Sequence, residues 1–189
     1  PIIEMLEGQP SGIKSLVLVP TRELALQVCD EIISLAAKRV VVAAVYGGQS
    51  ISEQQRRIKK GVDVVVGTPG RILDLISRGD LDFSKLMMFV LDEADEMLNM
   101  GFIDDIEEIM KHTPKEKRTL LFSATMPDRI AKLAKRYMNN PKKLEVDRAQ
   151  PTTGLTDQIY FEVREGDKFD ALTRIIDIEP EFYGLVFCR

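Results

Sequence analysis

The sequence predicts an α/β fold, a doubly wound and largely parallel sheet with helices on both faces. Short runs rich in Val, Leu, Ile and Phe alternate with longer stretches of helical periodicity. Those runs are apolar at nearly every position rather than at every second one, which requires strands covered on both sides. Each of five such runs also ends in a polar or glycine-rich cluster, and in an open parallel sheet these positions gather along the carboxyl edge, where ligands bind.

Taken in order, Ile2, Ile3, Met5 and Leu6 look like the last turns of a helix ended by Gly8 and Pro10, so a piece upstream of Pro1 is expected. Strands are predicted over 15–19, 40–46, 62–66, 87–91 and 119–122. Helices are predicted over 21–37, 51–60, 68–78, as a pair within 93–112, and over 127–138. Leu144 and Val146 are expected to add an edge strand. The pattern then breaks into Arg148, Gln150, Pro151, two threonines and Gly154, which reads as a linker. The expected organisation is a first domain over 1–146, a linker over 147–156, and the beginning of a second domain over 157–189. That last part carries a strand over 158–163, a helix over 168–178 and a strand over 185–188. One βαβ unit cannot bury its own faces, so the second domain is begun and not finished.

Composition excludes several classes. With 44% hydrophobic and 30% charged residues, the chain is neither disordered nor fibrous. The apolar runs 40–46 and 86–91 are far shorter than the roughly 18 residues of a membrane-spanning helix. Cys29 and Cys188 are the only cysteines and His112 the only histidine, which leaves no raw material for a zinc site or a disulfide framework. A reducing, cytoplasmic compartment is expected. The net charge of −4 argues against binding nucleic acid by bulk electrostatics and leaves open a local groove with a few well-placed donors.

The five clusters are Pro20-Thr21-Arg22-Glu23, Gly47-Gly48-Gln49, Gly67-Thr68-Pro69-Gly70-Arg71, Asp92-Glu93-Ala94-Asp95 and Ser123-Ala124-Thr125. Singly, each is an ordinary turn or cap; their joint occurrence suggests one functional surface. Asp92 and Glu93 leave a dry strand, and carboxylates there suit magnesium, a hard cation held by oxygen ligands together with phosphates and water. Asp92 is the candidate ligand, directly or through water, and Glu93 is placed to orient or deprotonate a water attacking a γ-phosphate. The plainer alternative is an acidic first helical turn favoured by the helix dipole. Thr68 supplies a capping hydroxyl before Pro69 at the first helical position, an end that attracts phosphate, with Arg71 adding a charged fork. Thr21 and Arg22 repeat that logic one strand over, and Gly47-Gly48 lets a backbone approach closely.

Other features take plain structural readings. The Arg56-Arg57-Ile58-Lys59-Lys60 run is a solvated helix end, Met87, Met88, Met97, Met100 and Met110 are packing residues, and His112 is a C-terminal dipole partner. Gly8-Gln9-Pro10-Ser11-Gly12-Ile13-Lys14-Ser15 imitates a phosphate loop, but Ile13 separates the second Gly from Lys14 and Ser15 opens a strand.

In order and spacing, the five clusters resemble the DEAD-box family of ATP-dependent RNA helicases, in the style of a bacterial member. The resemblance covers essentially the whole chain. It implies a RecA-like first domain and, from the linker to Val186-Phe187-Cys188-Arg189, passage into a second RecA-like domain. It implies ATP and Mg2+ as cofactors, with Asp92 as the magnesium-linked carboxylate and Glu93 as the water-activating catalytic residue. Asp95 would pair with Ser123 and Thr125, linking hydrolysis to unwinding. Pro20, Thr21, Arg22, Gly47, Gly48, Thr68, Pro69, Gly70 and Arg71 would grip the sugar-phosphate backbone of RNA without regard to sequence. The family's adenine-reading segment and phosphate loop would lie upstream of Pro1, and its arginine finger downstream of Arg189. The complete protein is therefore expected to be active and this stretch alone inactive, since phosphoryl transfer depends on positioning and charge stabilisation. Two other functions remain open: an RNA-binding or scaffolding module without hydrolysis, and a metal-dependent nuclease using Asp92, Glu93 and Asp95.

Overall fold

Five short strands, β1 (Ser15–Leu18), β2 (Val42–Val45), β3 (Val64–Gly67), β4 (Met88–Leu91) and β5 (Arg118–Leu121), form one parallel sheet in the order β2-β3-β1-β4-β5. The structure is a computed structural model that describes residues 2–6, 11–37, 39–145, 157 and 159–188. Among the described residues, seven helices accompany the sheet: α1 (Ile2–Leu6), α2 (Arg22–Ala36), α3 (Ile51–Lys59), α4 (Pro69–Ser77), α5 (Ala94–Asn99), α6 (Ile103–Lys111) and α7 (Asp128–Tyr137). Strands and helices of this part lie where the pattern predicts them, with ends shifted by at most about two residues.

Uninterrupted apolarity in the strands is explained by two cores, one on each face. Leu16, Leu18, Val45, Phe89 and Leu91 point into a core shared with α3 to α7, while Val17, Val19, Val66, Met88 and Val90 point into one shared with α1 and α2. Alternate side chains therefore go to opposite faces, and both faces are dry. Cys29 is packed in the α2 core, where burial pushes its thiol up to about 12 and keeps it neutral. Gly67 is set by packing: a Cβ there would collide with the Val45 carbonyl oxygen and press on Ile72. Only glycine lets β2, β3 and the start of α4 come this close.

The chain divides into two compact units, Pro1–Lys143 and Leu144–Arg189, each described by itself. The second contains a 3-10 turn (Glu165–Asp167) and α8 (Lys168–Ile178), the helix predicted there. The strands predicted over 158–163 and 185–188 are not formed among the described residues of those segments. Ile159, Tyr160, Phe161, Leu185 and Phe187 are exposed instead. A strand exists only through ladder partners, and the described residues of this unit present none. Leu144 is likewise exposed and outside any strand, because no neighbour pairs with it. Gly8, Pro10, Val146, Gln158 and the segment 147–156 lie outside the described residues. No helix among the described residues is long and apolar enough to cross a membrane.

Candidate functional site

Strand register brings the predicted clusters level. Leu18 stands beside Gly67 and Leu91, Val45 beside Gly67, and Leu91 beside Leu121. Backbone hydrogen bonds continue past the strands: the Val19 N–H donates to Gly67 O (3.0 Å), Thr68 to Val45 O (3.0 Å), Asp92 to Leu18 O (3.0 Å) and Phe122 to Leu91 O (2.8 Å). Five chain segments distant in sequence thus leave the sheet along one carboxyl edge.

The acidic half of this edge follows β4 and β5. Asp92 is half-buried, and its Oδ1 accepts the Glu93 N–H at 3.0 Å, while Oδ2 has no partner among the described residues. Glu93 caps α5 with φ 52° and ψ 51°, a left-handed conformation that a non-glycine residue adopts at a cost. The Glu93 side chain is exposed and makes no capping bond to the helix that follows. Asp95 lies in the first turn of α5, where its N–H donates to Ser123 Oγ at 3.1 Å. Its Oδ2 accepts both the N–H of Thr125 at 2.8 Å and the Thr125 hydroxyl at 2.7 Å. Burial would raise the Asp95 carboxyl, yet hydrogen bonding from Thr125 and Ser123 outweighs it and holds the group below the ordinary aspartate range.

The cationic half follows β1, β2 and β3. Thr21 caps α2, its Oγ1 accepting the Leu24 N–H at 3.2 Å. The Arg22 guanidinium stands 5.1 Å from the centre of the Tyr46 ring. Arg71 donates from Nη1 to the Gln49 carbonyl at 3.1 Å, so the two arginines bracket the Gly47-Gly48 turn. A Cβ at Gly47 or Gly48 would meet nothing within 4 Å, and Gly48 has φ 80°; the turn is open to an approaching backbone. Gly70 is exposed, with only Asp105 Oδ2 within reach of a Cβ, at 3.9 Å.

One expectation changes in this half. Thr68 precedes α4 but its side chain makes no capping bond, and the helix opens on Pro69, which needs no partner for a backbone N–H. Pro20 and Pro69 are buried in the turns that lead into α2 and α4. Among the described residues no group of three or more His, Cys, Asp or Glu is arranged to hold a metal ion. Asp95 has its Oδ2 taken up by Thr125. Asp92, half-buried with one free oxygen, still fits a single hard cation held mainly by water and phosphate oxygens.

Sequence reasoning missed Tyr46, Gln54 and the structural need for Gly67. A signal for Gln54 was present: Ile51, Gln54 and Ile58 follow helical spacing, so a polar residue occupies the inward face of α3.

A family model described as DEAD/DEAH box helicase matches residues 1–133 of the chain. Over its whole length the chain is 51% identical to the DEAD-box ATP-dependent RNA helicase CshA of Geobacillus kaustophilus, covering 41% of that protein. It is 46% identical to the protein of the same name in Bacillus subtilis, covering 38% of it. The chain thus spans about two fifths of the length of these curated relatives. Among solved structures, that of a DEAD box protein from the hyperthermophile Methanococcus jannaschii is similar over 94% of this chain and 48% of that one, with 49% identity and a TM-score of 0.68. A hypothetical ATP-dependent RNA helicase from Sulfolobus tokodaii matches 75% of this chain and 41% of its own, with 45% identity and the same TM-score of 0.68.

Proposed function

The chain belongs to the DEAD/DEAH box helicase family, and on that premise we propose that the protein carrying it couples ATP hydrolysis to local separation of RNA strands. The observation that carries this reading is the bonding of Asp95 to Thr125 and Ser123, which joins the acidic exit of β4 to the exit of β5. A residue next to the proposed hydrolytic carboxylates is thereby bonded to the segment that leaves β5.

In this reading Asp92 holds Mg2+ through water, and the bound ion supplies charge neutralisation at the phosphate oxygens of ATP. Glu93, exposed at the exit of β4, orients and deprotonates the attacking water. Asp95, Ser123 and Thr125 transmit the state of that site. Thr21, Arg22, Gly47, Gly48, Thr68, Gly70 and Arg71 follow the RNA sugar-phosphate backbone without reading bases, while Pro20 and Pro69 set the turns that present them. Residues 147–156 serve as the linker to a second RecA-like domain begun at 157–189, and the compartment is the reducing cytoplasm, in keeping with free Cys29 and Cys188. The sequence holds no Gly-Lys-Thr or Gly-Lys-Ser phosphate loop, so turnover belongs to the longer protein and this stretch alone hydrolyses ATP negligibly.

The test is ATP hydrolysis by the full-length protein with and without single-stranded RNA, beside its Glu93→Gln variant. RNA-stimulated turnover that falls at least about a hundredfold in the variant, with ATP and RNA binding kept, is the expected result for loss of a general base. RNA binding with no turnover in the wild type would reassign the protein as a scaffold, and cleaved RNA would reassign it as a nuclease.

A further inference from the structure

Gln54 lies on the inward face of α3 and is 4% exposed, yet it belongs to none of the clusters that define the edge. Its side-chain amide donates from Nε2 to two acceptors, the Tyr46 carbonyl at 2.9 Å and Gln49 Oε1 at 3.2 Å. Tyr46 and Gln49 are the residues on either side of Gly47-Gly48, so one buried amide grips both ends of the turn. Each end is also touched by a cation: Arg22 stacks on the Tyr46 ring and Arg71 donates to the Gln49 carbonyl.

We propose that Gln54 is a positioning residue for the RNA-binding edge: its amide clamps the Gly47-Gly48 turn and thereby sets where Arg22 and Arg71 meet a phosphate backbone. The inference rests on the RNA reading of that edge given above. Two adjacent glycines, one at φ 80°, have more backbone conformations open to them than any other pair, so the turn needs bonds from outside to hold one shape. Helix packing alone does not explain a glutamine here. Ile51 and Ile58 anchor the same face with apolar side chains, and Gln54 Oε1 is buried with no partner among the described residues. An aliphatic side chain of equal length would avoid that unpaired oxygen. The Tyr46 carbonyl fixes the orientation of the amide, because reversal would set Oε1 against that oxygen. What glutamine adds over an aliphatic residue is the double hold on the turn.

Without the clamp the turn samples other shapes and RNA binding bears the cost of ordering it. If the binding-competent shape falls to about a tenth of the population, the apparent dissociation constant rises about tenfold. Chemistry at Glu93, on the acidic half of the edge, is untouched once RNA is bound.

The experiment uses the full-length protein, a short single-stranded oligouridylate, and Gln54→Met, which keeps side-chain length and removes both donors. Expected are a roughly tenfold rise in half-saturating RNA, unchanged turnover at saturating RNA, unchanged KM for ATP, and faster hydrogen exchange at the Gly48 amide. A folded Gln54→Met protein with wild-type RNA affinity overturns the proposal. So does loss of turnover at saturating RNA, which would make Gln54 a packing residue of the catalytic edge. Should Gln54→Met fail to fold, Gln49→Ala decides, since Gln49 is exposed and loses only one acceptor. A smaller rise in half-saturating RNA supports the clamp, and wild-type affinity and exchange overturn it. If the wild-type protein itself ignores oligouridylate, the RNA reading has failed. Gly48 exchange still reports whether Gln54 holds the turn.

Discussion

Burial of Asp95 and the hydrogen bonds it accepts pull its proton affinity in opposite directions, and the bonds from Thr125 and Ser123 win. A depressed folded-state value means that these bonds favour the charged carboxylate. Their contribution is present above the unfolded-state value and is lost as pH falls through the folded one, below the ordinary aspartate range. Removing the Thr125 hydroxyl by Thr125→Ala should therefore raise the Asp95 midpoint toward its ordinary value, read from its carboxyl carbon in an NMR titration. An unchanged midpoint would mean that the hydroxyl does not bond the carboxylate in solution. Asp92, Glu93 and Asp95 were legible as a group because they are neighbours in the chain after an apolar run. The left-handed bend at Glu93 and the contact of Arg22 with Tyr46 were not, because they follow from how separate strands end side by side.

At the scale of elements, the approach of β2 and β3 depends on Gly67. A methyl group there meets a carbonyl oxygen of the neighbouring strand, which cannot move without breaking the ladder that carries Thr68 and Tyr46. Gly67→Ala should destabilise the first unit by about 1–3 kcal/mol or more, the range for overpacked interiors, seen as a lower midpoint of its unfolding transition. An unchanged midpoint would show that the strands can part there at no cost. The alternation of apolar runs and helical stretches made β1 to β5 and α2 to α7 legible, because those strands bury both faces and their helices one. It failed over the described residues of 158–163 and 185–188, where the residue types suit strands but no partner strand is formed among the described residues of their unit. Period and composition describe a side chain's preference; pairing is a property of two segments. Gln54 shows the complementary failure, since a polar residue on an inward helix face has meaning only once its acceptors are known.

For the whole molecule, the proposed RNA binding raises the question of how a chain with net charge −4 would hold a polyanion. Long-range attraction cannot supply the affinity, so it must come from a few donors at short range on an otherwise acidic body. Arg22 and Arg71 are the arginines that bracket the open glycine turn, and each has one face fixed by the protein, by Tyr46 and by the Gln49 carbonyl. That pre-orientation lowers the entropy lost when a phosphate is bound. RNA affinity should accordingly fall only gently with salt, because each phosphate neutralised on a single strand contributes a slope of about −0.7 in log affinity against log salt concentration. Replacing Arg71 by alanine should weaken binding about equally for RNAs of different sequence and flatten the slope by about 0.7. Binding isotherms of two unrelated single strands across a salt series measure both quantities. A loss confined to one sequence would mean that Arg71 reads a base, and a loss with an unchanged slope would mean that it acts only through the Gln49 carbonyl, as a brace for the turn.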